Sequence, residues 1–173
     1  MYSRILRLAL TVLAVLAPIS LRSENSAPAP FSLAIVAKEI TIARNKPDVF
    51  CVVLTNISRE PQAVWEYSNS WGYQNISLEF NLPSGEKSTV LKKKQAFTRN
   101  GPSPFVVQPG EHQVYAVQLD QSWEVKPAIP KENEIPVSVR AIYEVGPTPE
   151  SRKYKVWTGR IESHAYDFTL RQW

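Results

Sequence analysis

Residues 135–145 read Ile-Pro-Val-Ser-Val-Arg-Ala-Ile-Tyr-Glu-Val, and their parity decides the fold class. Ile135, Val137, Val139, Ala141, Tyr143 and Val145 fall on odd positions, with Ser138, Arg140 and Glu144 between them. Successive side chains of a strand point to opposite faces, so this is a long strand with one face buried. Ile76, Leu78, Phe80 and Leu82 alternate in the same way with Ser77, Glu79 and Asn81. A third strand carries Tyr115, Val117 and Leu119 after the turn Gln108-Pro109-Gly110-Glu111, where Pro sets the first bend and Gly accepts a positive φ. Phe31–Ala37 and Ile40–Ala43 supply an opening strand that reads as broken in two.

Near the C-terminus the parity slips. Trp157, Gly159 and Ile161 are odd, whereas Tyr166, Phe168 and Leu170 are even, which predicts a bulge or bend at Ser163–Ala165. His164 lies at that slip and reads as a structural histidine, since no acidic neighbour defines an acid/base pair with it. No long segment has helical period. Eight or nine strands punctuated by Pro, Gly, Asn and Ser predict an all-β chain, an immunoglobulin-like antiparallel β-sandwich, with a closed small barrel as the rival plan.

Residues 1–23 read as a signal peptide: Arg4 and Arg7 precede the apolar run Leu8–Ala17, which stops at Pro18. The run is shorter than the roughly 20 residues that span a bilayer, leaving an uncleaved anchor as the alternative. Cleavage is placed between residues 20 and 29, at Leu21-Arg22-Ser23 or at Ala27-Pro28-Ala29. A flexible segment, 24–30, then leads into one sandwich domain over 31–173. The expected location is therefore extracytoplasmic, periplasmic or secreted, with no stable membrane insertion after cleavage.

Charge excludes one class of partner. The chain has 20 Lys and Arg against 16 Asp and Glu. Setting aside Arg4, Arg7 and Arg22 leaves 17 against 16, or +1. Such a balance gives no concentrated basic face, so nucleic acid is not expected. Lys92, Lys93 and Lys94 cannot all share one strand face and read as a solvated edge strand. Cys51, within Phe50-Cys51-Val52-Val53-Leu54, reads as a small buried hydrophobe of a central strand.

No catalytic, cofactor or metal constellation emerges. Glu132, Glu134, Glu144 and Glu150 are dispersed, the two histidines stand far apart, and no glycine-rich phosphate loop is present. A non-catalytic module is expected. Asn56-Ile57-Ser58 and Asn75-Ile76-Ser77 match the glycosylation sequon, which has meaning only in a eukaryotic secretory route.

Leu54-Thr55-Asn56-Ile57-Ser58, Glu60-Pro61-Gln62-Ala63-Val64-Trp65, Phe97 and Val107-Gln108-Pro109-Gly110-Glu111 follow one another in an order that resembles bacterial extracytoplasmic immunoglobulin-like domains. Over about residues 48–120 it is also similar in layout to the BsuPI-type proteinase inhibitor domain. That resemblance implies a sandwich and an inhibitory loop, although no reactive loop carries over residue by residue.

Binding candidates lie in two loops. The aromatic turn holds Asn69, Trp71, Tyr73 and Gln74, a mixture suited to stacking on a sugar or anchoring a protein. The proline-rich link from Gly146 to Arg152 contributes Pro147, Pro149 and Arg152. Trp123 and Trp157 are expected to fill the sandwich. The expected function is an interaction or structural module for an unidentified protein or saccharide, with proteinase inhibition and carbohydrate binding as alternatives.

Overall fold

A computed structural model describes residues 28–38, 41–42, 48–98, 100–124 and 134–171. The leader and Glu132 lie outside the described residues. The elements are β1 (Phe31–Val36), β2 (Thr41–Ile42), β3 (Val49–Asn56), β4 (Gln62–Trp65), β5 (Ile76–Asn81), β6 (Lys87–Lys92) and β7 (Pro104–Val107). They continue with β8 (His112–Gln118), β9 (Trp123–Glu124), β10 (Ile135–Val145), the helix α1 (Pro149–Lys153), β11 (Gly159–Glu162) and β12 (Tyr166–Leu170). The described residues are all-β apart from one short helix, as the alternation predicts. The described residues contain more strand segments than the eight or nine expected because several are fragments; β2 and β9 have two residues each. No helix among the described residues is long and apolar enough to cross a membrane.

Three sheets form. One has the order β1-β3-β8, a second runs β2-β12-β10-β5-β6-β9 with β11 also on β10, and β4 pairs with β7. All pairings are antiparallel except β2 with β12. The break between β1 and β2 moves the chain from one sheet to another, which explains why the opening strand reads as split. The first two sheets share a core, a sandwich-like arrangement: Phe50 of β3 meets Phe168 of β12 at 5.1 Å, and Tyr115 of β8 meets Tyr143 of β10 at 6.1 Å. Trp157 stacks on Tyr143 and Trp123 is 3% exposed, so both aromatics pack as expected.

The register slip is a bulge. Val139 lies opposite Tyr166 and Ile142 opposite Glu162, so two residues of β10 face Ser163, His164 and Ala165. Ser163 fills the gap: its Oγ accepts from Ala141 N–H at 2.9 Å and donates to His164 O at 2.7 Å. His164 is exposed. Gly110 has φ 79°, and Glu111 N–H closes the 108–111 turn on Gln108 O, as Pro-Gly dictates.

Asn56 welds a corner between two sheets. It is fully buried at the end of β3, and its Nδ2 donates to Glu60 O (2.8 Å) and Val107 O (2.9 Å). Its Oδ1 accepts from Ser58 N–H (2.9 Å) and Ser58 Oγ (2.7 Å). All the hydrogen-bonding capacity of the amide is thus used. The Nδ2 of Asn75 is also buried, so neither sequon presents an open amide in this fold.

Candidate functional site

The aromatic turn and the residue just past the helix that follows the proline-rich link both reach Trp65, the buried last residue of β4. Trp71 packs on it from one side at 6.1 Å and Tyr154, just after α1, from the other at 5.8 Å. The aromatic turn is organised by Asn69, which is 6% exposed. Its Oδ1 accepts from Trp71 N–H (2.9 Å) and Gly72 N–H (3.0 Å), while its Nδ2 donates to Ser103 O (3.2 Å). Asn69 therefore serves the turn, as asparagine commonly does, with its side chain taken up internally. Gly72 lies so close to the backbone of Glu66 that an added Cβ would stand 2.1 Å from Glu66 O.

Trp71 and Tyr73 are both half-buried and belong to different clusters. Tyr73 packs on Tyr67 (6.0 Å) and Phe97 (5.5 Å), away from the Trp65 group. The coplanar, solvent-facing pair that stacking on a sugar requires is not formed. Instead the tyrosine faces hold the chain's own cation: Lys92 Nζ lies 4.5 Å from the ring centres of Tyr67 and Tyr73 and 5.4 Å from that of Trp123. Lys92, expected on a solvated edge, is half-buried, whereas Lys93 and Lys94 are exposed. Burial lowers the Lys92 ammonium from its ordinary pKa, with Asp120 pulling the other way. Gln74 is exposed and its Nε2 donates to Lys92 O at 2.8 Å.

The proline-rich link is not simply a loop, because its second half winds into α1. Thr148 caps the helix by accepting from Ser151 N–H at 3.0 Å, and Pro149 occupies the first turn. Pro147, Pro149 and Arg152 are all exposed.

Further in, the hydroxyls of Tyr67, Tyr115 and Tyr143 are buried, that of Tyr143 beside the Tyr115 hydroxyl and the Asn75 amide. Burial pushes Tyr67 and Tyr143 up to about 12 and Tyr115 further still. No group of three or more His, Cys, Asp or Glu among the described residues is placed to hold a metal ion.

The surface that sequence reasoning missed is the outer face of the β1-β3-β8 sheet. In β3 the inward residues Phe50, Val52 and Leu54 are buried, which turns Val49, Cys51, Val53 and Thr55 outward. Cys51 is accordingly half-buried on the outer face, correcting its expected place in the core. The register aligns Ala34, Val53 and Val114 in one row across the three strands, and Val36, Cys51 and Ala116 in the next. Ser32, Thr55 and His112 form the polar end, with His112 Nδ1 bonded to Thr55 Oγ1 at 2.8 Å. Val49 and Gln118 close the other end. None of these outward residues is Asp, Glu, Lys or Arg, and Val36, Val49 and Val114 are 55%, 60% and 53% exposed.

The other large sheet is the opposite. Its outer surface carries Arg140, Glu144, Arg160 and Glu162 in a network, with Arg160 reaching Glu144 at 3.1 Å and Glu162 at 2.8 Å, and Glu79 pairs with Lys87 at 3.4 Å. A solvated sheet face is expected to look like that one. The signal was present in sequence, since Phe50–Leu54 is apolar at both parities, but such a run reads equally as buried on both sides. Comparison of the chain with family models, with curated proteins and with solved structures returned no match.

Proposed function

We propose that this is a non-catalytic interaction module, working outside the cytoplasm, that docks a protein partner on the outer face of its β1-β3-β8 sheet. The observation that carries the reading is the uncharged, largely apolar outer face on a molecule whose other sheet is laced with ion pairs. Three strands about 4.8 Å apart and about 20 Å long give a patch of a few hundred Å², the range in which contiguous apolar patches are functional. It falls short of the roughly 800 Å² per partner of a standard stable complex, which suits a transient contact or one that extends past the sheet edge.

The test is capture from the extracytoplasmic fraction of the source with three baits: the wild type, Val36→Lys/Val114→Lys, and Trp71→Ala. Both valines are more than half exposed, so the lysines are expected to leave stability within about 0.5 kcal/mol. The reading predicts a partner held by the wild type and by folded Trp71→Ala but lost from the double-lysine variant. No capture, capture unaffected by the lysines, or loss only in Trp71→Ala overturns it.

A further inference from the structure

Among the described residues β8 is an edge of the uncharged sheet, and the hydrogen-bond parity shows which of its main-chain groups turn away from β3. Asn56 N–H donates to Glu111 O at 3.1 Å and Gly110 N–H donates to Asn56 O at 2.8 Å, so even-numbered residues of β3 bond toward β8. Ile57 N–H donates to Pro30 O at 2.9 Å, so odd-numbered ones bond toward β1. In an antiparallel ladder hydrogen-bonded and non-bonded pairs alternate. Leu54–Gln113 and Val52–Tyr115 are therefore the bonded pairs. His112, Val114 and Ala116 turn their N–H and C=O groups away from β3. Gln113 Nε2 reaches Val114 O at 3.3 Å, an acceptor the ladder leaves open.

Natural proteins guard such edges with Lys, Pro, bulges or extreme shortness. The other large sheet does so, ending in two-residue strands at both edges. β8 has seven residues, His-Gln-Val-Tyr-Ala-Val-Gln, with no Pro, Gly or charged carboxylate or amine among them. Beside it runs a groove walled by Phe105, Val106 and Val107 of β7, which is paired with β4, and floored by Gly110–Val114. Val106 is 52% exposed. The groove's ionisable groups lie at its Gly110 end, where Glu111 Oε2 accepts from Gln108 N–H at 2.8 Å and His112 is bonded to Thr55. The opposite edge, β1, packs beside β10 and β11 and is covered there.

We infer that β8 accepts an extended peptide of a partner protein as a fourth strand: a segment without charge, with apolar or β-branched side chains at alternate positions. This rests on the docking-face reading and names its partner's chemistry. Main-chain bonds to Val114 and Ala116 supply affinity, and the alternation supplies selectivity. Side chains of one parity continue the rows that end at Val114 and Ala116, while those of the other parity turn inward beside the Phe105–Val107 wall. Its outward side chains are uncharged because the rows they continue, Ala34-Val53-Val114 and Val36-Cys51-Ala116, hold no charged group to pair with them.

The experiment selects a phage-displayed library of random short peptides on the folded chain, with Ala116→Pro as counter-target. By the same parity the Ala116 N–H turns away from β3, so proline removes an edge donor and leaves the β3 ladder intact. The expected winners are uncharged and alternating. A synthetic copy of one should protect the Val114 and Ala116 amides from hydrogen exchange in the wild type by about tenfold or more, and bind Ala116→Pro about tenfold more weakly. The exchange measurement stands on its own if the proline variant does not fold. No enrichment, charged winners, or protection outside β8 overturns the inference. Protection that instead grows with protein concentration, with dimers in sedimentation, assigns the edge to a second copy and overturns it too. Partner capture lost in Val36→Lys/Val114→Lys without any peptide binding sinks the strand and keeps the face. Peptide binding with capture unaffected by those lysines does the reverse.

Discussion

Replacing Asn56 with alanine is the sharpest test of how the sheets are joined. The side chain is fully buried and makes four hydrogen bonds, to Val107 O, Glu60 O, Ser58 N–H and Ser58 Oγ. The bond to Val107 O is buried, so its loss strands a carbonyl at a cost of about 1–3 kcal/mol. The other three lie nearer the surface, where water takes over part of the role, and each is worth about 0.5–1 kcal/mol net. The total is about 2.5–6 kcal/mol, a large share of the 5–15 kcal/mol that holds a typical domain together. Urea unfolding followed by tryptophan fluorescence reads this as a lower midpoint at unchanged slope. Ser58→Ala, a more exposed partner, should cost about 1 kcal/mol. Asn56→Asp keeps the shape but sets a carboxylate oxygen against Val107 O and Glu60 O, and should lose more than Asn56→Ala. A loss below about 1 kcal/mol for Asn56→Ala, or an aspartate variant as stable as wild type, would refute the corner.

Three further outcomes are expected. Gly72→Ala drives a Cβ to 2.1 Å from Glu66 O, so the turn must open; a loss of at least about 2 kcal/mol in the same assay is predicted, and a neutral result would mean the approach is not that close. Burial pushes the Tyr143 hydroxyl up to about 12, above its ordinary 10, so its stabilising share is complete below pH 10 and disappears as pH rises from 10 to about 12. Wild type should therefore lose about 3 kcal/mol relative to Tyr143→Phe across that window, and a stability difference that stays flat from pH 8 to 12 rules this out. Cys51, half-buried on the outer face, should react with a thiol reagent in the folded protein faster than global unfolding permits, whereas labelling only in denaturant would return it to the core.

Much of the fold could be read from parity alone. The inward residues of β5, β8 and β10, the turn at Gly110 and the extra residue at Ser163–Ala165 all follow from the two-residue period of a strand, a property of the local backbone. The binding loops were legible only as loops. Asn69, Trp71 and Tyr73 have the composition of a contact surface, yet the turn folds them against Ser103, Trp65 and Tyr67. α1 escaped notice because five residues are too few to show a helical period.

What the sequence determined by itself is everything set within a few residues: strand, turn, bulge, and the side of each strand that is apolar. What only the tertiary structure decided is which apolar side was covered. Phe50-Cys51-Val52-Val53-Leu54 is apolar at both parities, and no local rule distinguishes a strand between two layers from one with a bare face. Packing of Phe50 on Phe168 of β12 covers the Phe50 and Val52 side, while no described element lies over Cys51 and Val53, which remain half-buried beside exposed neighbours. Burial is a property of what packs across from a residue, and that partner comes from chain more than a hundred residues away. The same long-range pairing left β8 at an open edge and brought Trp71 and Tyr154 together over Trp65.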